Sequence, residues 1–279
     1  MARRVAITGA AGQLGRELVR GFTGAGDEVL PLARPDFDLT SAHDLARMAA
    51  WRPQVVVNAA AWTDVDACAR DPDRAMRING EAAGAVARAA AEIGALAVQV
   101  STNEVFDGTL DQAYVEEDEP HPINPYGASK LAGERLAARE NSRHLIVRTA
   151  WVFGPDSGFP TRIRAAADRM LREGKPLRVV ADEWGNPTPT RWLAGAIVEL
   201  IRLEAISGLS GVHHAVGQPP TSRLDWARHE LGGHGVEIQP MALADYRRDT
   251  RVPPRAVLDT GRIERLGLEV GDWRAASSR

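Results

Sequence analysis

The amino-acid sequence predicts an α/β fold in which helices cover both faces of a parallel sheet. Short apolar segments alternate with longer alanine-rich segments of helical pattern, an order typical of parallel sheets. A chain of 279 residues with 44% hydrophobic content is long enough to bury a large core. A glycine-rich turn between the first strand and the first helix is the third observation, and it indicates a ligand as well as a fold.

Five strands are predicted, at residues 3–8, 28–32, 55–58, 96–101 and 145–148. The clearest helices are predicted at residues 80–93 and 126–139. Ligands of such sheets bind at the carboxyl ends of the strands. The polar residues predicted at those ends are Asn58, Ser101, Thr102 and Arg148.

The pattern loosens after Gly154, where proline and glycine clusters become frequent. We therefore expect two parts, with the chain returning to the first part once. The predicted dinucleotide-binding domain comprises residues 1–152 and about 177–205, and the predicted smaller C-terminal α/β substrate lobe comprises about 153–176 and 206–279.

The first strand runs directly into a turn with glycines at positions 9, 12 and 15, and a helical pattern follows. Glycines let a pyrophosphate approach the backbone, and a helix N-terminus offers unpaired N–H groups to it. The order of strand, glycine turn and helix predicts a Rossmann-type dinucleotide site in a doubly wound sheet. The alternative is a glycine-rich helix cap without a ligand.

The end of the second strand indicates which dinucleotide binds. An acidic residue there would bond the ribose hydroxyls of NAD, but this chain has Ala33 followed by Arg34. A guanidinium can bind the additional 2′-phosphate of NADPH. NADPH is therefore the predicted cofactor, with NADH as the alternative, unless Arg34 is a solvated loop residue.

Tyr126 and Lys130 lie four residues apart at the start of a predicted helix, with Asn124 and Pro125 as its N-cap and first-turn residues. Residues at this spacing share one helix face. A nearby ammonium and the positive helix end would both favour ionisation of the phenol, making Tyr126 a usable proton donor. The alternative is an ordinary surface tyrosine and lysine.

Together these motifs resemble the extended, sugar-nucleotide branch of the short-chain dehydrogenase/reductase superfamily, and within it the dTDP-4-dehydrorhamnose reductase family. The resemblance covers nearly the whole chain and is densest up to Gly154. It rests on Gly12-Gln-Leu-Gly15, Asn58-Ala-Ala-Ala-Trp-Thr-Asp-Val-Asp66, Ser101-Thr-Asn-Glu-Val-Phe-Asp-Gly108, Tyr126-Gly-Ala-Ser-Lys-Leu-Ala-Gly-Glu134, Arg148-Thr-Ala-Trp-Val-Phe-Gly154, and more weakly Gly185-Asn-Pro-Thr188 and Leu258-Asp-Thr260.

The resemblance implies a catalytic set of Thr102, Tyr126 and Lys130, in which Thr102 holds the substrate carbonyl and Tyr126 protonates the alkoxide. Lys130 would lower the pKa of the phenol and bond the nicotinamide ribose. The cofactor-binding residues that it implies are Gly9, Gly12, Gln13, Leu14, Gly15, Arg34, Asp38, Leu39, Ala59, Ala60, Ala61, Ser101, Tyr126 and Lys130. The substrate-binding residues are Thr63, Val65, Asn103, Glu104 and Trp151.

Asn103 and Glu104 depart from the family pattern, since the rhamnose enzymes usually have Asp-Tyr at these positions. A Glu here resembles the sugar-nucleotide dehydratases and epimerases, but they pair it with an Asp, and Asn103 cannot transfer a proton. Simple reduction is therefore favoured over dehydration. Glu104 could accept hydrogen bonds from sugar hydroxyls or pair with an arginine, and Trp151 could contact the sugar or belong to the core.

Composition excludes several classes of protein. The net charge of -3 argues against nucleic-acid binding, and the single Cys68 excludes an internal disulfide. No apolar run approaches the ~20 residues of a membrane span. With no signal-like N-terminus, we expect a cytoplasmic protein. The histidines show no ligand spacing, so no metal site is predicted, and His213 and His214 are expected to be structural.

The acidic segment at residues 116–119 is predicted to be a solvated loop or an active-site lid. Three functions remain in competition. The first is NADPH-dependent reduction of a nucleotide-linked 4-keto-6-deoxyhexose. The second is an epimerase or dehydratase with bound NAD, and the third is a non-catalytic dinucleotide-binding regulatory subunit. A nucleotide sugar is the expected substrate, and homodimers are common among relatives of this kind.

Overall fold

The computed structural model describes residues 2–277. Its strands are β1 (Arg4–Thr8), β2 (Glu28–Leu32), β3 (Val55–Asn58), β4 (Leu96–Thr102), β5 (His144–Thr149), β6 (Val152–Phe153), β7 (Leu177–Val180), β8 (Trp184–Gly185), β9 (Thr188–Pro189), β10 (Gly211–His214), β11 (Thr221–Ser222) and β12 (Ile238–Met241). Six of them form one parallel sheet in the order β10-β5-β4-β3-β1-β2. The predicted fold class is confirmed, and each of the five predicted strands lies within one residue of its predicted bounds.

The α-helices are α1 (Gln13–Gly24), α2 (Ala42–Ala50), α3 (Val65–Arg70), α4 (Pro72–Ala75), α5 (Ala82–Glu92), α6 (Pro125–Glu140), α7 (Phe159–Arg172), α8 (Thr190–Ser207), α9 (Arg223–Glu230), α10 (Gly261–Arg265) and α11 (Trp273–Ser277). A π-helical segment, Met76–Glu81, joins α4 to α5. Short 3₁₀ helices span Asn103–Val105 and Leu243–Asp245. None of the described helices is both long and apolar enough to span a membrane.

Side chains alternate between the two faces of the central sheet, because successive residues of a strand point in opposite directions. Ile7 of β1 packs with Leu18 of α1 and with α8 on one face. The neighbouring Ala6 packs with Met48 of α2 and Val86 of α5 on the other. Two buried layers of helices therefore hold the sheet rigid and leave its carboxyl edge for a ligand.

The smaller lobe contains a second parallel pair, β7 with β12, covered by α7 and α9. Two strands thus lie elsewhere than the predicted domain boundaries placed them. β7 belongs to the small lobe because it pairs with β12, although residues 177–180 were assigned to the dinucleotide domain. β10 was assigned to the substrate lobe but extends the central sheet beside β5. The pairing of strands decides to which part of the molecule each strand belongs. This pairing cannot be predicted from the local sequence.

Candidate functional site

The glycine turn after β1 has the geometry that its sequence predicts. Gly9 has φ +68, and a Cβ there would lie 2.7 Å from the Ala60 nitrogen. A Cβ on Gly15 would lie 2.1 Å from the Gly9 carbonyl oxygen, so neither position has room for a side chain. Gly12 is the N-cap of α1 and provides no side-chain cap. The N-terminus of α1 therefore faces the turn with free N–H groups, a suitable cradle for phosphate.

A cleft of about 760 Å³ opens beside this turn at the carboxyl edge of the sheet. Its lining includes eight of the predicted cofactor residues: Gly9, Gly12, Arg34, Asp38, Leu39, Ala59, Ala60 and Ala61. The other six, Gln13, Leu14, Gly15, Ser101, Tyr126 and Lys130, lie outside its lining. Leu14 packs in the core, Gly15 supports the turn, and Gln13 accepts a hydrogen bond of 2.8 Å from the Ser157 hydroxyl.

Asp38 and two further arginines shape this cleft. Hydrogen bonds from Thr40 to the Asp38 carboxylate hold its pKa below the usual range, so Asp38 is ionised at neutral pH. Arg74 and Arg77 line the cleft with Arg34, and the Arg74 guanidinium lies 4.6 Å from the Trp62 ring centroid. The sequence analysis missed both, although their spacing of three on a helical stretch places them on one face.

Thr102, Tyr126 and Lys130 are brought together where β4 ends and α6 begins, and all three are buried. The Thr102 hydroxyl faces the Tyr126 phenol closely enough to lower its pKa. The Lys130 ammonium donates to the Val100 carbonyl at 2.7 Å. The predicted start of α6 is confirmed, since the Asn124 side chain accepts from the Gly127 N–H and Pro125 is in the first turn.

A buried ion pair holds α6 against the sheet. The Arg148 guanidinium of β5 donates to both carboxylate oxygens of Glu134, with a shortest distance of 2.8 Å. Arg148 lies at the carboxyl end of its strand as predicted, but its partner is a helix rather than a ligand. This pair fixes the orientation of the helix face that includes Tyr126 and Lys130.

The electrostatics of Tyr126 differ from the expectation. Burial raises the pKa of its phenol, and the nearby Glu104 raises it further, whereas the Thr102 hydroxyl lowers it. Burial also lowers the pKa of Lys130 to about 8, partly offset by the charge of Glu134. The prediction that Lys130 lowers the phenol pKa is therefore not met by the protein alone, because burial raises this pKa and Lys130 is not among the groups that lower it.

Two buried hydroxyls at the sheet edge have no hydrogen-bond partner within residues 2–277, namely those of Ser101 and Thr149. They lie on neighbouring strands, since Thr102 pairs in register with Thr149. A buried polar atom without a partner is costly unless a ligand or water satisfies it. A ligand bound at this edge of the sheet would satisfy both hydroxyls.

Glu104 and Asn103, which directly follow β4, have different hydrogen-bond partners. The Glu104 carboxylate accepts a hydrogen bond of 2.7 Å from Asn124, and burial raises its pKa to about 7 despite this bond and the charges of Arg248 and Arg223. No arginine within residues 2–277 forms an ion pair with it. The Asn103 amide donates to the Ala256 carbonyl at 2.9 Å, so it ties β4 to the small lobe.

The Trp151 side chain is partly exposed and also packs against aromatic and arginine side chains of the small lobe. Its ring stacks on Trp226 with centroids 5.7 Å apart, and the Arg223 guanidinium lies 3.5 Å from its centroid. Arg223 in turn pairs with Glu183. Val65 packs beside Tyr126 through the cluster around Cys68, whereas Thr63 is exposed and lies outside the lining of the cleft.

The substrate side is also rich in arginine, which the sequence analysis did not find. Partial desolvation lowers the pKa of Arg162, and the charges of Arg223 and Arg248 lower it further. Arg223 and Arg248 are therefore both within electrostatic range of Arg162. Arg162 belongs to α7, Arg223 to α9 and Arg248 to the loop after β12, so only folding brings them together.

The acidic segment is not a solvated loop throughout. The Glu116 side chain is buried, accepts the His214 N–H at 3.0 Å and faces Arg262 at 3.6 Å. It therefore joins the loop to β10, which explains why a lid at this residue is the wrong interpretation. Within residues 2–277, no group of three or more histidine, cysteine or acidic side chains is arranged to hold a metal ion.

The chain matches the family described as the RmlD substrate binding domain over residues 3–279. It is 37% identical to a dTDP-4-dehydrorhamnose reductase of Burkholderia thailandensis, covering 98% of this chain and 96% of the relative. A solved reductase of the same name from Clostridium acetobutylicum superposes with a TM-score of 0.91 at 32% identity, covering 98% of this chain and 96% of the other. A Bacillus anthracis dTDP-4-dehydrorhamnose reductase solved in complex with NADP superposes equally well, with a TM-score of 0.91 at 29% identity over 100% of this chain and 98% of the other.

Proposed function

The chain belongs to the dTDP-4-dehydrorhamnose reductase family and is an oxidoreductase, and from this premise we propose that it reduces dTDP-4-dehydro-L-rhamnose to dTDP-L-rhamnose with NADPH. The observation that supports the proposal most directly is the buried constellation of Thr102, Tyr126 and Lys130, at the same carboxyl edge of the sheet as the glycine cradle. A bound NADPH supplies the hydride to the 4-keto carbon. The protein must then hold the carbonyl and provide a proton.

Tyr126 is the proposed proton donor. Its raised pKa keeps the phenol protonated before the reaction, and its hydroxyl lies close to Thr102, which would share the carbonyl oxygen of the substrate. Lys130 donates to the Val100 carbonyl and is positioned by the helix that Arg148 and Glu134 anchor. In this proposal its ammonium stabilises the negative charge left on Tyr126 and bonds the nicotinamide ribose.

The charges that line the cofactor cleft favour NADPH over NADH as the cofactor. Ala33 offers no carboxylate to repel a 2′-phosphate, while Arg34, Arg74 and Arg77 place three guanidinium groups along the same cleft. Asp38 and Leu39 line the position proposed for the adenine. The Bacillus anthracis relative that binds NADP is consistent with this assignment.

The arginine cluster of the small lobe supports a nucleotide-linked substrate. Arg162, Arg223 and Arg248 lie close to one another, on the same side as Glu104. A diphosphate would relieve the mutual repulsion of these cations. The half-buried Trp151, with its ring stacked on Trp226, offers an apolar face to a deoxysugar or base.

The competing functions have weaker support. Dehydration needs an acid beside Glu104, but the Asn103 amide is committed to the Ala256 carbonyl and cannot exchange a proton. A purely regulatory subunit would not need the buried catalytic set. The homodimer and the cytoplasmic location stay predictions, to be tested by light scattering and by cell fractionation.

The decisive experiment follows NADPH absorbance with enzymatically prepared dTDP-4-dehydro-L-rhamnose and repeats the assay with NADH. Tyr126→Phe should lower kcat by roughly 10²–10⁴, the usual contribution of a positioned acid. Tyr114→Phe is the matched control, because it also removes a buried phenol hydroxyl, here bonded to Asp107, away from the catalytic set. Full activity of Tyr126→Phe would reject Tyr126 as the proton donor. So would a loss of activity that is equal in Tyr126→Phe and Tyr114→Phe and is accounted for by unfolding of both variants.

A further inference from the structure

Helix α2 ends differently from four other long helices. A glycine in the left-handed region follows or caps α1, α5, α7 and α8, with φ of +83 at Gly26, +72 at Gly94, +63 at Gly174 and +69 at Gly208. After α2 the same position is Arg52, with φ +56. Side chains with a Cβ are disfavoured there, and glycine is the usual choice. The chain therefore accepts backbone strain to place an arginine at this point.

Arg52 lines a pocket of about 380 Å³ at the amino-terminal edge of the central sheet. Three other arginines, at positions 3, 4 and 143, line the same pocket, and Glu204 is the acidic residue among its lining. Val55, Ile93 and Ile201 provide apolar surface. The pocket thus combines an apolar floor with a dense group of guanidinium ions.

Two of these arginines are neutralised by carboxylates. Arg3 pairs with Asp27 at 2.8 Å, and Arg143 pairs with Glu204 at 2.9 Å. The Arg4 guanidinium donates to the Trp51 carbonyl, at 2.9 Å, and lies 5.8 Å from the centroid of the Trp51 ring, with no carboxylate partner. The Arg52 guanidinium makes no hydrogen bond or ion pair with any residue from 2 to 277, although its backbone N–H donates to the Ala49 carbonyl at 2.9 Å. Two positive charges therefore remain at the pocket without a protein counter-ion.

We propose that this pocket is a second ligand site, which binds the phosphate group of a small metabolite between Arg4 and Arg52. Guanidinium groups bind phosphate oxygens through paired, charge-assisted hydrogen bonds. The site is distinct from the cofactor cleft, because β1 begins at Arg4 and ends at the glycine turn, roughly 15 Å away at the usual rise per residue. It lies at the opposite edge of the sheet from Tyr126.

The test is calorimetric titration of the full chain with inorganic pyrophosphate, with the cofactor cleft first saturated by NADP⁺. Wild type should bind in a saturable manner. Arg52→Gly should raise the Kd at least about tenfold, while the melting temperature of the free protein rises by about 2–4 °C because glycine relieves the strain. A loss of binding caused by unfolding is thereby excluded.

Two control variants locate the binding. Arg178→Gln removes an exposed arginine of β7 and should leave the Kd unchanged. Arg162→Gln alters the substrate side, where a diphosphate is also expected to bind, so it should remove only that binding and leave the Kd of the Arg52-dependent site unchanged. No Arg52-dependent saturable binding by wild type, an unchanged Kd in Arg52→Gly, or a loss of the Arg52-dependent binding in Arg162→Gln would overturn the proposal. A parallel titration with ADP distinguishes the sources of the phosphate. If ADP binds more tightly than pyrophosphate, the ligand of the pocket is a nucleotide, and if pyrophosphate binds more tightly, the ligand is a free anion. In both cases Arg52→Gly must weaken the binding.

Discussion

The cofactor side and the substrate side of this protein are built in different ways. The cofactor cradle comes from one short segment, in which β1, the glycine turn and α1 follow one another directly. The substrate side takes Glu104 from the end of β4, Arg162 from α7 and Arg223 from α9. A local motif can be identified from its spacing, whereas a site assembled from distant segments has no spacing to identify. Because the two sides are built from different segments, a mutation can alter one side without altering the other.

The largest effect is expected in the glycine cradle. A Cβ on Gly15 would meet the Gly9 carbonyl oxygen at 2.1 Å, and backbone atoms cannot give way as a flexible side chain can. Gly15→Ala should therefore lower the free energy of unfolding by about 3 kcal/mol and weaken NADPH binding. Urea unfolding and fluorescence titration with NADPH measure the two effects.

Gly24→Ala is the control for this substitution. Gly24 ends the same helix and has no atom within 4 Å of a built Cβ. The added methyl should stabilise the protein by about 0.5–1 kcal/mol, the ordinary gain of alanine over glycine in a helix. If Gly15→Ala were as stable as Gly24→Ala and bound NADPH normally, the cradle would not depend on close backbone contact.

A smaller and selective effect is expected on the substrate side. Arg162→Gln removes one cation of the cluster, and a charge-assisted bond to a diphosphate contributes about 1.5–3 kcal/mol. The KM for the nucleotide sugar should rise at least about tenfold, with the KM for NADPH unchanged. The fold should tolerate the change, since Arg162 is repelled by Arg223 and Arg248.

Steady-state kinetics with each substrate varied in turn provide the check. Arg169→Gln, also on α7 and exposed, is the matched control and should leave both KM values as in wild type. A rise in the KM for NADPH instead would mean that the two sides are not separable.

The last expected effect is a pH dependence of stability at Glu104. Burial raises the pKa of this carboxyl from 4.5 to about 7, so the folded state binds a proton more tightly than the unfolded state. Its contribution to stability is greatest at low pH and declines as the pH rises from about 4.5 to 7. Glu104→Gln should therefore raise the melting temperature at pH values above 7 relative to wild type, with a smaller difference below pH 4.5.

Thermal unfolding across this pH range tests the sign. Glu92→Gln, at an exposed position on α5, should give the same small difference at every pH. A wild-type protein stabilised by Glu104 at high pH would show that an arginine neutralises this carboxylate, as the other interpretation of Glu104 requires.

Much of the cofactor side could be predicted because its rules are local. Alternation of apolar segments predicts parallel strands, the Gly9 to Gly15 spacing predicts a tight turn, and Asn124 with Pro125 predicts where α6 begins. The family resemblance also predicted Thr102 as a site residue. Only the fold brings Thr102 close to Tyr126. The pKa of Tyr126 could not be predicted this way, because it depends on how completely the phenol is buried and on the nearby charge of Glu104.

The sequence by itself determined the fold class, the strands of the nucleotide-binding part and the motifs of its cradle, because each depends on residues within a few positions of one another. Only the tertiary structure decided that β10 joins the central sheet, that β7 leaves it, and that Arg162, Arg223 and Arg248 meet. It also decided that Glu116 is buried against His214. These outcomes depend on pairing and desolvation between segments far apart in the chain, and no local pattern specifies which distant segments will meet.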